Sequence, residues 1–279
     1  MAHNALLFSR TSLAFGLTFV PAEALDLLSH HDVEPAQALV DACRELEADF
    51  AFVHCCEQWS ADALELLLNA GVTPFWAVDG PLWPVLQEYG VTQGLRATLT
   101  RPDEVAARID GRIDTIVEQI RHGVGLGARA IVIAEDLAGA QGPLVAPDFA
   151  IEVLFPRMQR LVGIASAAGV PCVLHSDGDI RLLLGAILKA GFSGVHAGGG
   201  LDFDGFERLF LAARKMGLVV IGGLQTVELG QGFPKATALG SQAGILAALG
   251  GLLLADDGGL TEPLQVAMLA AALMAARGA

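Results

Sequence analysis

Eight short apolar runs, each followed by a stretch of helical periodicity, constrain the fold of this chain more than any other feature. They fall at 13–20, 49–55, 72–78, 130–136, 171–176, 194–197, 218–223 and 251–255. Most are rich in β-branched or aromatic residues and lack polar alternation, as strands buried on both faces of a parallel sheet do. The clearest helical pattern runs from about Asp103 to Gly123, with Val105, Ile109, Ile113, Ile116, Val117 and Ile120 on one face. Thr100, Arg101, Pro102 and Asp103 supply its expected capping start, and Asp179 and Asp204 are expected N-caps elsewhere. Eight such units in 279 residues predict an α/β fold, a (β/α)8 TIM barrel filling residues 1–279 as a single domain. A doubly wound sheet would carry a glycine-rich loop after its first strand, where this chain has Val20-Pro21-Ala22-Glu23. The last helical stretch, 263–277, is apolar nearly all round. It is expected to close the barrel or to be covered by a second subunit of a homodimer.

Charge narrows the partners. Thirty-one acidic against 17 basic residues give a net charge of −14 with no basic stripe, so neither nucleic acid nor an anionic membrane is expected. The longest strongly apolar run, 245–255, is too short to span a bilayer and is broken by Gly250-Gly251. Met1 to Arg10 lacks the charged-then-apolar order of a secretory signal. Cys43, Cys55, Cys56 and Cys172 follow neither zinc-ribbon nor disulfide-framework spacing and are expected to be cytoplasmic thiols.

In a barrel the reacting groups come from the C-terminal ends of the strands. Here those ends carry His54-Cys55-Cys56-Glu57, Asp79, Glu135-Asp136, His175-Ser176-Asp177-Gly178-Asp179, His196, Gln225 and Asp256-Asp257. Asp79, Asp179 and Asp256 are expected to be helix N-caps or solvated loop residues. His175 and Asp177 share one side of an extended segment. They form a metal half-site, an acid/base pair or an imidazole oriented by a carboxylate. His54-Cys55-Cys56-Glu57 offers soft and hard donors together. Adjacent residues on a strand rarely chelate one ion, so buried thiols are the plainer expectation. The glycines of His196-Ala197-Gly198-Gly199-Gly200 let a ligand approach the backbone or make a tight turn.

Several of these blocks resemble the uroporphyrinogen decarboxylase superfamily. Glu135-Asp136-Leu137-Ala138-Gly139, Gly142-Pro143-Leu144, Pro147 and Leu154-Phe155-Pro156 resemble its strand-4 block, and the run from Cys172 to Ile180 its strand-5 block. Gly222 to Gly230 resembles the strand-7 block, and Gly250-Gly251 through Gly259-Leu260-Thr261-Glu262-Pro263 the closing one. The likeness runs from about residue 125 to the end, while the earlier residues match in strand order alone. It implies the barrel already predicted.

The resemblance implies either a decarboxylase or a corrinoid-linked methyltransferase. Decarboxylases of the family open with an arginine-rich strand that grips a polycarboxylate porphyrinogen, and this chain has only Arg10 near its first strand. The histidine expected in the closing block is also replaced, by Gly258 or its neighbours. In the methyltransferase branch zinc is bound through His-x-Cys after strand 5 and a cysteine in the closing block. His175 matches the first ligand, while Asp177 and Gly258 stand where the cysteines would be. A metal site of His175, Asp177 and a third carboxylate such as Glu135 or Asp257 would be harder than the thiolate one. With no metal, Asp177 or Glu135 would protonate a leaving oxygen.

The resemblance therefore leads to a methyltransferase. It would move a methyl group between a small methylated ether, amine or thiol and a corrinoid (cobalamin) on a partner protein, as an O-demethylase component does. His175, Asp177, Glu135 and Asp136 are the expected catalytic residues, with His54, His196, Gln225 and Asp257 lining the substrate pocket. The alternatives are a decarboxylase of a smaller carboxylic acid and a non-catalytic tetrapyrrole-binding or subunit protein.

Overall fold

All eight predicted runs form parallel strands of one closed barrel. The computed structural model describes residues 13–20, 25, 33–258, 260 and 262–279. The strands are β1 (Phe15–Leu17), β2 (Phe50–His54), β3 (Thr73–Asp79), β4 (Ala130–Ala134), β5 (Cys172–Ser176), β6 (Gly194–Ala197), β7 (Val219–Leu224) and β8 (Leu252–Asp256). Each pairs with its chain neighbours, and β1 closes the ring on β8 through Phe15–Leu254 and Gly16–Ala255. The predicted first strand was longer than the three residues found. Arg10 and Pro21-Ala22-Glu23 lie outside the described residues.

The barrel wall separates two apolar layers, and strand periodicity assigns each residue to one of them. Phe50, Phe52, Phe75, Val132, Val173, Ile221, Leu253 and Ala255 fill the interior. Their strand neighbours, including Ala51, Val53, Trp76, Ile131, Ile133, Leu174 and Leu254, face the helices. Phe75 stacks on Phe50 and Phe52 with centroids 5.0 and 5.4 Å apart, so aromatic rings plug the barrel floor. Across from them Gly16 leaves room for the Phe50 ring, which any β-carbon there would overlap.

The described α-helices of four or more residues are α1 (Pro35–Glu45), α2 (Ser60–Ala70), α3 (Trp83–Tyr89), α4 (Val91–Thr100), α5 (Pro102–Gly125) and α6 (Phe155–Ala167). They continue with α7 (Leu184–Lys189), α8 (Phe203–Lys215), α9 (Thr226–Leu229), α10 (Phe233–Ala248) and α11 (Pro263–Arg277). The six apolar residues predicted for the α5 stripe are all buried. Arg108 and Arg112 on the same helix pair with Glu88, and Asp110 and Asp114 receive Arg157 and Arg160 of α6. Four arginines are thus committed to pairs between helices. Pro102 takes the first turn of α5 as expected, but Arg101 precedes it without a side-chain cap.

Asp204 is not the N-cap of α8. Asp202 is, because its Oδ1 accepts the Gly205 backbone N–H at 2.8 Å while Asp204 lies in the first turn. A short antiparallel ladder, Ala138–Gly139 with Gly142–Pro143, follows β4 and rises beside the barrel mouth. No described helix is long and apolar enough to cross a membrane. The closing helix α11 packs on α10, with Met274 and Leu264 left exposed.

Candidate active site

Strand periodicity divides the polar residues at the barrel mouth into two groups. On β4, β5 and β8 the residues in step with the outer layer are Glu135, Ser176 and Asp256, and each holds backbone. Glu135 is buried, and its Oε2 and Oε1 accept the backbone N–H groups of Leu82 and Trp83 at 2.7 and 2.6 Å. It therefore caps the start of α3 and fixes the β3 loop. Burial pushes it up to about 8, against the pull of the two amides. Ser176 Oγ accepts the Leu137 N–H at 2.9 Å. Asp256 is committed to β1, with Oδ2 accepting the Thr18 N–H at 2.9 Å and Oδ1 the Thr18 hydroxyl at 2.6 Å. The prediction that Asp256 is a cap or solvated residue is corrected: it is fully buried.

The residues in step with the interior are Asp136, His175, Asp177 and Asp257. Asp136 Oδ1 accepts the Asp177 backbone N–H at 3.0 Å and lies 3.7 Å from His175 Nε2. His175 Nδ1 is 2.8 Å from His196 Nδ1, and His196 Nε2 is 3.0 Å from the Asp256 carbonyl oxygen. Because a carbonyl only accepts, His196 carries its proton on Nε2 and accepts through Nδ1. His175 must then donate from Nδ1, which leaves the Nε2 lone pair facing Asp136. Burial lowers both imidazoles, His196 to about 4, so the pair is neutral near pH 7. The third carboxylate beside His175 is therefore Asp136, where Glu135 or Asp257 had been expected.

Asp177 is the unusual member. Its Oδ1 is buried without a hydrogen-bond partner. Burial first, then the Asp136 and Asp257 carboxylates, raise it to about 7. The loop that carries it is clamped on both sides. Gly178, at φ +76°, donates its N–H to the Gly199 carbonyl at 2.8 Å, and the Asp179 N–H reaches the Gly139 carbonyl at 2.9 Å. A β-carbon at Gly199 would overlap the Asp177 carboxyl, so this glycine makes room for a side chain of the site. A β-carbon at Gly258 would lie 3.4 Å from Asp177 Oδ1. Positions 177 and 258 are thus neighbours, as two ligands of one ion would be, but here no sulfur is present at either.

Asp257 completes the ring with Oδ1 on the Thr226 N–H and hydroxyl at 3.0 and 2.8 Å, and burial raises it. Gln225 is fully buried with both amide atoms unpartnered, a state that a bound ligand would relieve. Among the described residues no lysine or arginine pairs with Asp136, Asp177 or Asp257. His54 stands apart: the Cys56 N–H donates to its Nδ1 at 3.3 Å, so Nε2 donates to Asp79 Oδ1 at 3.2 Å.

One wall of the site was missed in the sequence. Phe19 lies in the left-handed region at φ +38°, a conformation costing about 1–3 kcal/mol for a residue with a side chain. Its ring sits 4.8 Å from His175, 5.9 Å from His196 and 6.4 Å from His54. Nothing in the sequence marks a positive φ at a phenylalanine.

Two donor clusters could hold a cation, Asp136-His175-Asp177 and His54-Cys55-Cys56, each with its atoms within 4.8 Å of one another. The first is hard, with two carboxylates and one imidazole, and does not fit a thiolate zinc centre.

The chain matches the family model described as uroporphyrinogen decarboxylase (URO-D) over residues 86–238. That stretch starts before the first resembling block and stops short of the closing one. Curated protein sequences give no match. In fold it is similar to a methyltransferase from Methanosarcina mazei, at 18% identity over 98% of this chain and 96% of that one, with a TM-score of 0.69. It is also similar to L-ribulose 3-epimerase, at 14% identity over 94% and 93% with a TM-score of 0.58. For an archaeal fructose 1,6-bisphosphate aldolase the values are 13%, 99%, 98% and 0.55. At these identities the likeness is one of fold.

Proposed function

The chain belongs to the uroporphyrinogen decarboxylase family, and from that premise we propose that it is a methyltransferase that removes a methyl group from a small neutral methyl ether. The carrying observation is the state of Asp177: a buried carboxyl oxygen without a partner, raised to about 7 among other carboxylates. A carboxylic acid held protonated near neutrality can donate to a leaving oxygen. The absence of a pairing cation among the described residues of this centre disfavours an anionic carboxylic substrate, which Asp136 and Asp257 would repel.

The methyl acceptor enters as a second substrate, a reduced corrinoid on a partner protein, and supplies the nucleophile that takes the methyl carbon. The mouth suits such an approach, since the Asp136 side chain remains 36% exposed while His175 beneath it is 12% exposed. The methyl–oxygen bond breaks, its electron pair stays on oxygen, and the Asp177 proton moves to that oxygen to give the neutral alcohol. His196 and the Asp256 carbonyl hold His175 in one neutral tautomer, so it does not compete with Asp177 as an acid. Phe19 covers the imidazoles and limits water.

The test is incubation of the purified protein with a super-reduced corrinoid and a panel of methyl ethers, methylamines and methyl thiols. Methyl–cobalt absorption is expected with an ether. Its absence with every donor would overturn the assignment.

A further inference from the structure

The cysteines that the barrel lacks after β5 and β8 have a counterpart after β2. His54 ends that strand, and Cys55 and Cys56 lie in the turn that follows, where adjacent side chains need not point to opposite faces. Their Sγ atoms are 3.9 Å apart. Two sulfurs bound tetrahedrally to one zinc, at about 2.3 Å each, are separated by about 3.8 Å. From this geometry we infer that His54, Cys55 and Cys56 form a binding site for a thiophilic divalent cation of the Zn²⁺ class, distinct from the His175 centre.

Three observations converge on it. The donor atoms of all three residues lie within 4.8 Å of one another. The Asp79 carboxylate already holds His54 through Nε2–H, and its Nδ1 accepts the Cys56 backbone N–H at 3.3 Å, a bond that the ion would replace. A carboxylate behind a ligating histidine fixes its tautomer and raises its basicity. The site is also accessible, because Cys56 is exposed and Cys55 half-buried, whereas Cys43 and Cys172 are buried away from it. Three protein donors leave the fourth tetrahedral position open, as in sites that bind a further ligand.

This does not rest on methyl transfer, and its test reads metal binding alone. Co²⁺ added to the reduced full-length protein should give a thiolate-to-cobalt charge-transfer band in the near ultraviolet at one ion per chain, displaced by Zn²⁺. Cys56→Ser, at an exposed position, should abolish the band or weaken affinity at least about tenfold, and Asp79→Asn should weaken it about 10–100-fold. His175→Ala should leave it unchanged. No charge-transfer band at saturating Co²⁺, or a Cys56→Ser protein that keeps the band at wild-type affinity, would overturn the site. So would loss of the band in His175→Ala.

Discussion

Asp177→Asn is expected to lower methyl transfer about 10²–10⁴-fold, the usual contribution of a positioned proton donor, while the protein stays at least as stable as the wild type. The two readouts diverge if the side chain acts as the proposed proton donor and holds no other group. Its Oδ1 has no partner to lose. Its pKa in the fold is raised from 3.8 to about 7 by burial and by Asp136 and Asp257. A carboxyl raised on folding costs stability once the pH exceeds its unfolded value, and that cost is complete above about 7. The amide is never ionised and removes it. Thermal melts at pH 8 should therefore show a Tm equal to or above that of the wild type, alongside near-absent methyl–cobalt formation. Equal losses of both would mean that Asp177 is a structural residue.

The second large effect is at the closing helix. Gly240 and Gly244 lie one turn apart on α10, against Ala272 and Ala276 of α11. A β-carbon at Gly240 would overlap the Ala272 carbonyl oxygen and stand 2.6 Å from its carbon, so the two backbones touch where side chains would separate them. Gly240→Val must push α11 off the barrel, and we expect a cost of about 3 kcal/mol and a Tm fall of about 5–10 °C. Gly111→Ala on α5 is the opposite case. Nothing lies within 4 Å of the added carbon, so better helix propensity should stabilise by about 0.5–1 kcal/mol. Differential scanning calorimetry of both variants checks the pair. Similar Tm values for Gly240→Val and the wild type would show that α11 is not held by this contact.

The barrel was legible because parallel strands buried on both faces must be nearly continuously apolar, and most of the eight runs were. Helix α5 was equally legible from its stripe. The roles of adjacent acids were less so, although the same strand periodicity contains them. Ile131 and Ile133 face the helices, so Glu135 must too, and Asp136 falls to the interior with Val132. Residue type alone makes Glu135 and Asp136 equal candidates for catalysis, but in the fold both oxygens of Glu135 are held by amides. The glycine run after His196 left two readings open; the Leu201 N–H on the Gly198 carbonyl at 2.9 Å makes the turn, and the packing of Gly199 on Asp177 adds a role neither reading held. Cys55 and Cys56 looked unsuited to one ion because a strand would turn them apart. Strand β2 ends one residue earlier, and a turn lets them meet. Phe19 and the Asp202 cap depend on local backbone geometry that residue type does not encode.

The central claim, that a protonated Asp177 delivers its proton to the leaving oxygen, is tested most directly by the pH dependence of single-turnover methyl transfer from a methyl ether to reduced corrinoid. The rate should be constant below about 7 and fall about tenfold per pH unit above it, as the acid form is depleted. In Asp177→Asn it should be low and flat. A wild-type rate that rises through pH 7, or the same falling profile in the asparagine variant, would contradict the assignment.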